Sequence, residues 1–255
     1  MKITFLGTGT SQGVPVVGCK CDVCQSNNPK DNRLRTSVLV ETDDEIFTID
    51  AGPDFRQQML RQKVSKLDAI LVTHGHKDHV GGMDDIRAFN FLQKKPMTVW
   101  ANELATASIR SEFAYAFADD KYPGVPDFDL KLISNNDIII GNTKITPIPL
   151  KHLNLTVHAF RIGNFTYVTD ANFIPEVSWK LIEGTEILVI NALRKEKHIS
   201  HFNLKEAMEV VNIIKPKKTY LTHISHLMGL HSKISKVLPD NVEFAYDGLI
   251  LKTNS

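Results

Sequence analysis

The chain has 255 residues, 42% of them hydrophobic and 23% charged, with a formal net charge of +1. That length and balance suit one soluble α/β domain spanning residues 1–255 with a sizeable core. Near-neutral charge excludes a general electrostatic attraction to nucleic acid or acidic membranes, and no apolar run approaches a membrane span.

The N-terminus, Met1-Lys-Ile-Thr-Phe-Leu-Gly7, enters a strand at 2–6 and then a Gly-rich turn, without the pattern of a signal peptide, so the cytoplasm is the expected location. All three cysteines follow within six residues, as Cys19-Lys-Cys21-Asp-Val-Cys24. An odd number in a chain expected in a reducing compartment argues against disulfides. Three thiolates so close call for a cation, and a tetrahedral zinc needs a fourth donor, for which His226 is the natural candidate. Three unlinked buried thiols are the alternative.

β-Branched and aromatic clusters predict strands at 36–42, 45–49 and 69–73, with a helix at 53–63 between the last two. A helix at 84–93, a strand at 97–100 and a helix at 103–118 follow, and then an irregular Pro/Gly loop at 119–127. Strands are expected at 129–133, 137–140, 143–148, 156–161 and 165–169, then at 187–190, 218–222 and 242–252. Helical patterns occupy 175–183, 203–214 and 231–237, with Asn203 as a cap and Pro216 closing the middle one. No repeat or linker divides the chain.

The densest chemistry is Thr73-His74-Gly-His76-Lys-Asp78-His79, at the end of the apolar run Ala69–Val72. Three imidazoles and a carboxylate in six positions are costly to bury unpaired. Alternate residues of a strand share a face, so His74 and His76 can reach one ion, while Asp78 and His79 beyond the turn can serve a second.

This pattern resembles the HxHxDH signature of the metallo-β-lactamase superfamily, including the preceding Thr and the following Gly81-Gly82. The resemblance implies a four-layer αββα sandwich with metal ligands along one edge of its sheets. It also implies further ligands in chain order: His152, Asp170 at the end of Phe165-Thr-Tyr-Val-Thr-Asp170, and His223 at the end of Thr219-Tyr-Leu-Thr-His223. His74, His76 and His152 would then hold one ion and Asp78, His79 and His223 the other, with Asp170 bridging. His158 competes with His152 but lies in an expected strand. Asp50, in Ile49-Asp-Ala-Gly-Pro53, matches the family's strand-end Asp that supports a ligand His from behind.

Gly7-Thr-Gly-Thr-Ser-Gln-Gly-Val-Pro15 and the cysteine cluster are similar to the N-terminal segment of the PhnP-like subfamily of phosphodiesterases. That likeness implies a Cys₃His structural zinc from Cys19, Cys21, Cys24 and His226 beside the two-metal centre. It implies a non-ligand catalytic His ahead of a helix, for which His201 is preferred as general acid and His198 is the rival. Two close cations bring the pKa of a shared water toward neutrality, so Asp78 and Asp170 count as catalytic as well as ligating. Zinc suits the imidazole-rich set, and manganese accepts it too.

The expected activity is metal-dependent hydrolysis of a small cyclic or linear phosphodiester, 5-phosphoribosyl 1,2-cyclic phosphate above all, with a small-molecule partner rather than nucleic acid or membrane. Relatives are often homodimers. Alternatives are a tRNase Z-type RNA 3′-processing nuclease, disfavoured by the neutral charge and the missing exosite arm; a lactone or thioester hydrolase; and a PqqB-like accessory protein. Arg33 and Arg35 are weaker candidates for phosphate contact, with salt bridges as the competing reading. Asp54, Asp84 and Asp85 are candidates for helix capping or for ordering ligands.

Overall fold

Alternation of inward and outward side chains builds two sheets in the computed structural model, which describes residues 1–253. The first contains β1 (Lys2–Gly7), β2 (Ser37–Glu41), β3 (Ile46–Ile49), β4 (Ala69–Leu71), β5 (Met97–Ala101) and β6 (Phe128–Leu132). The second contains β7 (Ile138–Ile140), β8 (Thr143–His152), β9 (Leu155–Ile162), β10 (Phe165–Val168), β11 (Ile187–Asn191), β12 (Lys218–Thr222) and β13 (Val242–Phe244). Strand β14 (Ile250–Lys252) returns to the first sheet and pairs antiparallel with β1. The spatial orders are β14-β1-β2-β3-β4-β5-β6 and β13-β12-β11-β10-β9-β8-β7.

Seven α-helices accompany them among the described residues: α1 (Phe55–Gln62), α2 (Lys77–Val80), α3 (Arg87–Gln93), α4 (Glu103–Glu112), α5 (Glu176–Ile182), α6 (Leu204–Ile214) and α7 (His231–Ile234). Three apolar layers separate four structural ones. Phe5, Phe47 and Leu71 of the first sheet meet Ile145, Phe160 and Tyr167 of the second between the sheets. The alternate positions Leu6, Leu39 and Ile70 face Phe55, Met59, Phe89 and Ile109 of α1, α3 and α4. Ile148, Leu150 and Leu188 face Ile182, Val210 and Val211 of α5 and α6. Each such buried side chain contributes roughly 1.5–3 kcal/mol. The expected αββα sandwich is the fold that forms.

Tertiary packing redraws some boundaries. The single strand expected over 242–252 is two strands on opposite sheets. Phe244 packs on the outer face of the second sheet and Leu251 between the sheets. The chain crosses between them at Gly248, whose φ of 89° suits only glycine without strain and whose N–H donates to Phe5 O at 2.8 Å. The helix expected to 118 ends at Glu112, because Phe113 turns inward against Phe128. Helix α6 matches its expectation: Asn203 forms a reciprocal capping box with Glu206, and Lys215 turns left-handed just before Pro216. The short α2 was not legible, because it lies inside the histidine motif.

The topology sets the site. β3, β4, β10 and β12 all end at the same edge of the sandwich, and Asp50, Thr73, Asp170 and His223 stand just past those ends or one residue beyond. His152 closes β8, which runs antiparallel to β9 as β10 does, and so reaches that edge too.

Candidate metal centre

Two groups of donors meet at this edge, and a third set, His152, Asp170 and His201, overlaps both. The ligand atoms of His74, His76 and His152 lie within 4.8 Å of one another, as do those of Asp78, His79, Asp170 and His223. His74 Nε2 is 2.9 Å from His76 Nδ1. Asp170 stands between the groups: its Oδ2 is 3.8 Å from His74 Nε2 and 3.4 Å from His79 Nε2, and its Oδ1 is 3.2 Å from His223 Nε2. Asp78 Oδ2 is 3.3 Å from His79 Nε2. Only His76 among these seven is well exposed.

Backbone conformation aims two of these side chains and the Asp50 carboxylate behind them. Asp50, Asp170 and His223 adopt φ of 66°, 56° and 53°, the left-handed region that Asp and His tolerate better than most residues. Behind the donors, Asp50 Oδ2 accepts from His79 Nδ1 at 2.7 Å, as expected of the strand-end Asp. His152 Nδ1 donates to Ser200 O at 2.7 Å. Both contacts leave Nε2 free to act as a ligand atom.

The electrostatics are those of a cation site. Burial opposes charge on Asp170, yet the neighbouring rings of His223 and His79 hold its carboxyl well below the usual range. Asp78 is lowered against burial in the same way, chiefly by His79. His79 itself is raised, since Asp170, Asp78 and Asp50 together outweigh burial. His74 is pushed down by burial and by His79. Among the described residues, His79 Nε2 and both ring nitrogens of His223 are buried without a hydrogen-bond partner. Ring nitrogens left so, facing two carboxylates, fit divalent cations, with His74, His76 and His152 able to hold one and Asp78, His79 and His223 a second, sharing Asp170.

His201 joins the cluster and His198 stands behind it. His201 Nε2 is 3.2 Å from Asp170 Oδ2, and its ring stacks on His223 at 4.9 Å between centroids. Its Nδ1 faces Ser200 Oγ at 3.0 Å and His198 Nδ1 at 3.2 Å. Burial lowers the pKa of both rings. His158 is buried in β9 with Nδ1 3.4 Å from Asn102 Nδ2, outside every donor group.

The cysteines form a separate nest. Sulfur atoms of Cys19, Cys21 and Cys24 lie with a ring nitrogen of His226 inside 4.8 Å. His226 Nδ1 is 3.3 Å from Cys19 Sγ and 3.4 Å from Cys21 Sγ. The Cys24 backbone N–H and His226 lower Cys21 to about 6, while burial raises Cys24 to about 11. The protein alone therefore does not ionise the whole set, and a bound cation would.

The weaker candidates resolve as structure. Arg33 is 5% exposed and donates to Thr8 Oγ1 and Ala245 O, so it does not reach a substrate. Arg35 pairs with Asp54 at 3.1 Å. Asp84 accepts from Tyr115 and pairs with Arg87, with no capping bond to α3. Two contributors escaped sequence reasoning. Ser200, between the histidines, orients both His152 and His201, and Thr73 was noted only as part of a motif.

Against known proteins, the family described as Beta-lactamase superfamily domain matches residues 46–224, from β3 to just beyond His223. A protein of Porphyromonas gingivalis (strain ATCC BAA-308 / W83) named octanoyltransferase is 36% identical over 252 residues, covering 98% of this chain and 51% of that one. This chain thus spans about half the length of that curated relative. A solved structure described as a new diphosphatase from the PhnP family is 37% identical with a TM-score of 0.92, covering 98% of this chain and 96% of that one. Zinc-bound PqqB from Methylobacterium extorquens shares the fold, with a TM-score of 0.80 at 19% identity over 99% of this chain and 100% of that one. The chain belongs to the β-lactamase superfamily and has its metallo-β-lactamase fold.

Proposed function

We propose that the chain is a metal-dependent phosphohydrolase of the PhnP-like group, cleaving a P–O ester bond of a small phosphodiester. The observation that carries this reading is Asp170 placed between two donor groups with His201 on the same carboxylate. His74, His76 and His152 would hold one divalent cation and Asp78, His79 and His223 the other, with zinc preferred over manganese for so many imidazoles. Bound there, the cations supply the Lewis acidity that makes water nucleophilic near neutral pH. A second, structural zinc site is assigned to Cys19, Cys21, Cys24 and His226.

His201 is the general acid in this reading. Water adds to phosphorus and loses one proton to solvent, the ester P–O bond breaks, and the Nε2 proton of His201 passes to the departing alkoxide and is replaced from solvent. Ser200 and His198, at the opposite nitrogen, hold the ring in place. Asp78 and Asp170 keep the reacting edge anionic and ordered. A five-membered cyclic diester such as 5-phosphoribosyl 1,2-cyclic phosphate is the preferred substrate.

The 37% identical diphosphatase favours a second reading, cleavage of a P–O–P anhydride, which would use the same donors and whose phosphate leaving group depends less on an acid. Octanoyl transfer is not carried over, because the protein so named has as much chain again with no counterpart here. Protein loaded with zinc or manganese should turn over bis(p-nitrophenyl) phosphate and the cyclic ribose phosphate. A nucleoside diphosphate, a lactone, an octanoyl thioester and a precursor tRNA complete the panel. Turnover confined to the lactone or thioester would overturn the reading, diphosphate turnover alone would select the second one, and specific tRNA cleavage would promote a nuclease.

A further inference from the structure

Asp50 and Thr73 are both fully buried, one past the end of β3 and the other past the end of β4. The Thr73 backbone N–H donates to Asp50 Oδ1 at 2.9 Å, and its hydroxyl reaches Oδ1 at 3.0 Å and Oδ2 at 2.9 Å. A hydroxyl has one proton, and here it goes to the carboxylate. Its lone pairs are then left to accept, and His74 Nδ1 lies 3.1 Å away. His79 Nδ1 is 3.4 Å from the same hydroxyl but 2.7 Å from Asp50 Oδ2, so its proton belongs to the carboxylate.

We propose that Thr73 is a positioning residue through which the single Asp50 carboxylate sets the ring tautomer in both donor groups. His79, in the group with Asp78 and His223, is fixed directly. His74, in the group with His76 and His152, is fixed through the hydroxyl. Both rings carry a proton on Nδ1 and turn Nε2 toward Asp170, at 3.8 Å for His74 and 3.4 Å for His79.

Geometry makes the relay necessary. Asp50 is held at φ 66° with its N–H on Leu71 O at 2.8 Å, and its two oxygens are taken by Thr73 and His79. Without the hydroxyl, His74 Nδ1 has no other hydrogen-bond acceptor among the described residues, and its ring loses the preference that presents Nε2 to a cation. Outer contacts of this kind typically shift metal affinity by about 10–100-fold.

The assignment rests on the two-cation reading, and its test separates the two. Histidine labelled with ¹⁵N reports, through two-bond ¹H–¹⁵N spectra, which ring nitrogen carries the proton, with or without metal. In the parent, His74 and His79 should both show Nδ1–H. In Thr73→Val, His74 should shift to a mixture or to Nε2–H while His79 is unchanged, and Thr73→Ser should restore the parent pattern.

Zinc titration by calorimetry should show the first donor group of Thr73→Val weakened by about 10–100-fold, with the second group and the cysteine nest unaffected. Thr73→Ala serves the same comparison if the valine variant does not fold. An unchanged His74 tautomer together with parent zinc affinity would overturn the proposal. A parent that shows the tautomers but takes up no zinc at these histidines would instead overturn the two-cation reading.

Discussion

Replacing Asp170 by Asn tests the centre through stability, independently of substrate. His79 Nε2 and His223 Nε2 are buried, lack hydrogen-bond partners, and face Asp170 at 3.4 Å and 3.2 Å. An unsatisfied buried group costs about 1–3 kcal/mol, so the pair holds about 2–6 kcal/mol that cation binding relieves. Binding at a thousandfold excess over Kd supplies about 4 kcal/mol, inside that range. A chain of this size shifts by about 2–4 °C for each kcal/mol, so each zinc ion taken up by the metal-free parent should raise its unfolding midpoint by about 10 °C. In Asp170→Asn the shared carboxylate is gone, and the rise should shrink to what the cysteine nest alone provides. Differential scanning calorimetry with elemental analysis reads both quantities: about three zinc ions per chain in the parent, about one in Asp170→Asn and about two in His152→Ala. An Asn variant that keeps the full rise and the full metal content would refute the shared-ligand geometry.

Three further outcomes are expected. His201→Ala should lose about 10²–10⁴-fold in kcat on a diester with an alkoxide leaving group, and far less on a p-nitrophenyl ester whose phenolate departs unaided; equal losses on both would remove its role as acid. Cys21→Ser should bind one zinc fewer and melt earlier with KM unchanged, and parent zinc content in that variant would show the nest to be three unlinked thiols. Arg33→Met breaks donated bonds of 2.8 Å to Thr8 and 2.6 Å to Ala245 O, and should cost about 3 kcal/mol in urea melts with no change in KM; a raised KM at parent stability would return Arg33 to the substrate.

Legibility from sequence followed physical range. Strands such as β10 and β12 were readable because β-branched and aromatic side chains gather in short local runs, and a ligand that ends a strand inherits its place from that strand. His152 could be separated from His158 on these grounds, since His158 sits inside β9 with its backbone N–H on Thr73 O at 2.9 Å. Helix α2 was hidden because its four residues, Lys77–Val80, are motif residues with no apolar period of their own. The split of 242–252 was hidden because its first half joins the nearby β12 while its second half pairs with β1, more than 200 positions away. Arg33 was ambiguous for the same reason: nothing near it in sequence says that Ala245 O waits for its guanidinium.

The left-handed backbone at Asp170 and His223, and at Asp50 behind them, was equally invisible, and it explains why the donors converge on one supporting carboxylate. A strand that simply continued would carry these side chains past the sheet edge and apart. The left-handed turn folds each one back over the edge, at roughly 1–3 kcal/mol per residue. Neighbouring segments hold that strain in place. Ala51 N–H is bonded to His79 O at 2.8 Å, and Ile224 N–H to Thr8 O at 2.9 Å. Ala171 is pinned on both sides by the buried Asn191 amide, which accepts its N–H and donates to its carbonyl, both at 2.9 Å. Each pin comes from a different segment, so the donor geometry is a property of the assembled sandwich rather than of any loop. That is why the site can be preorganised around buried, partnerless ring nitrogens before any cation arrives.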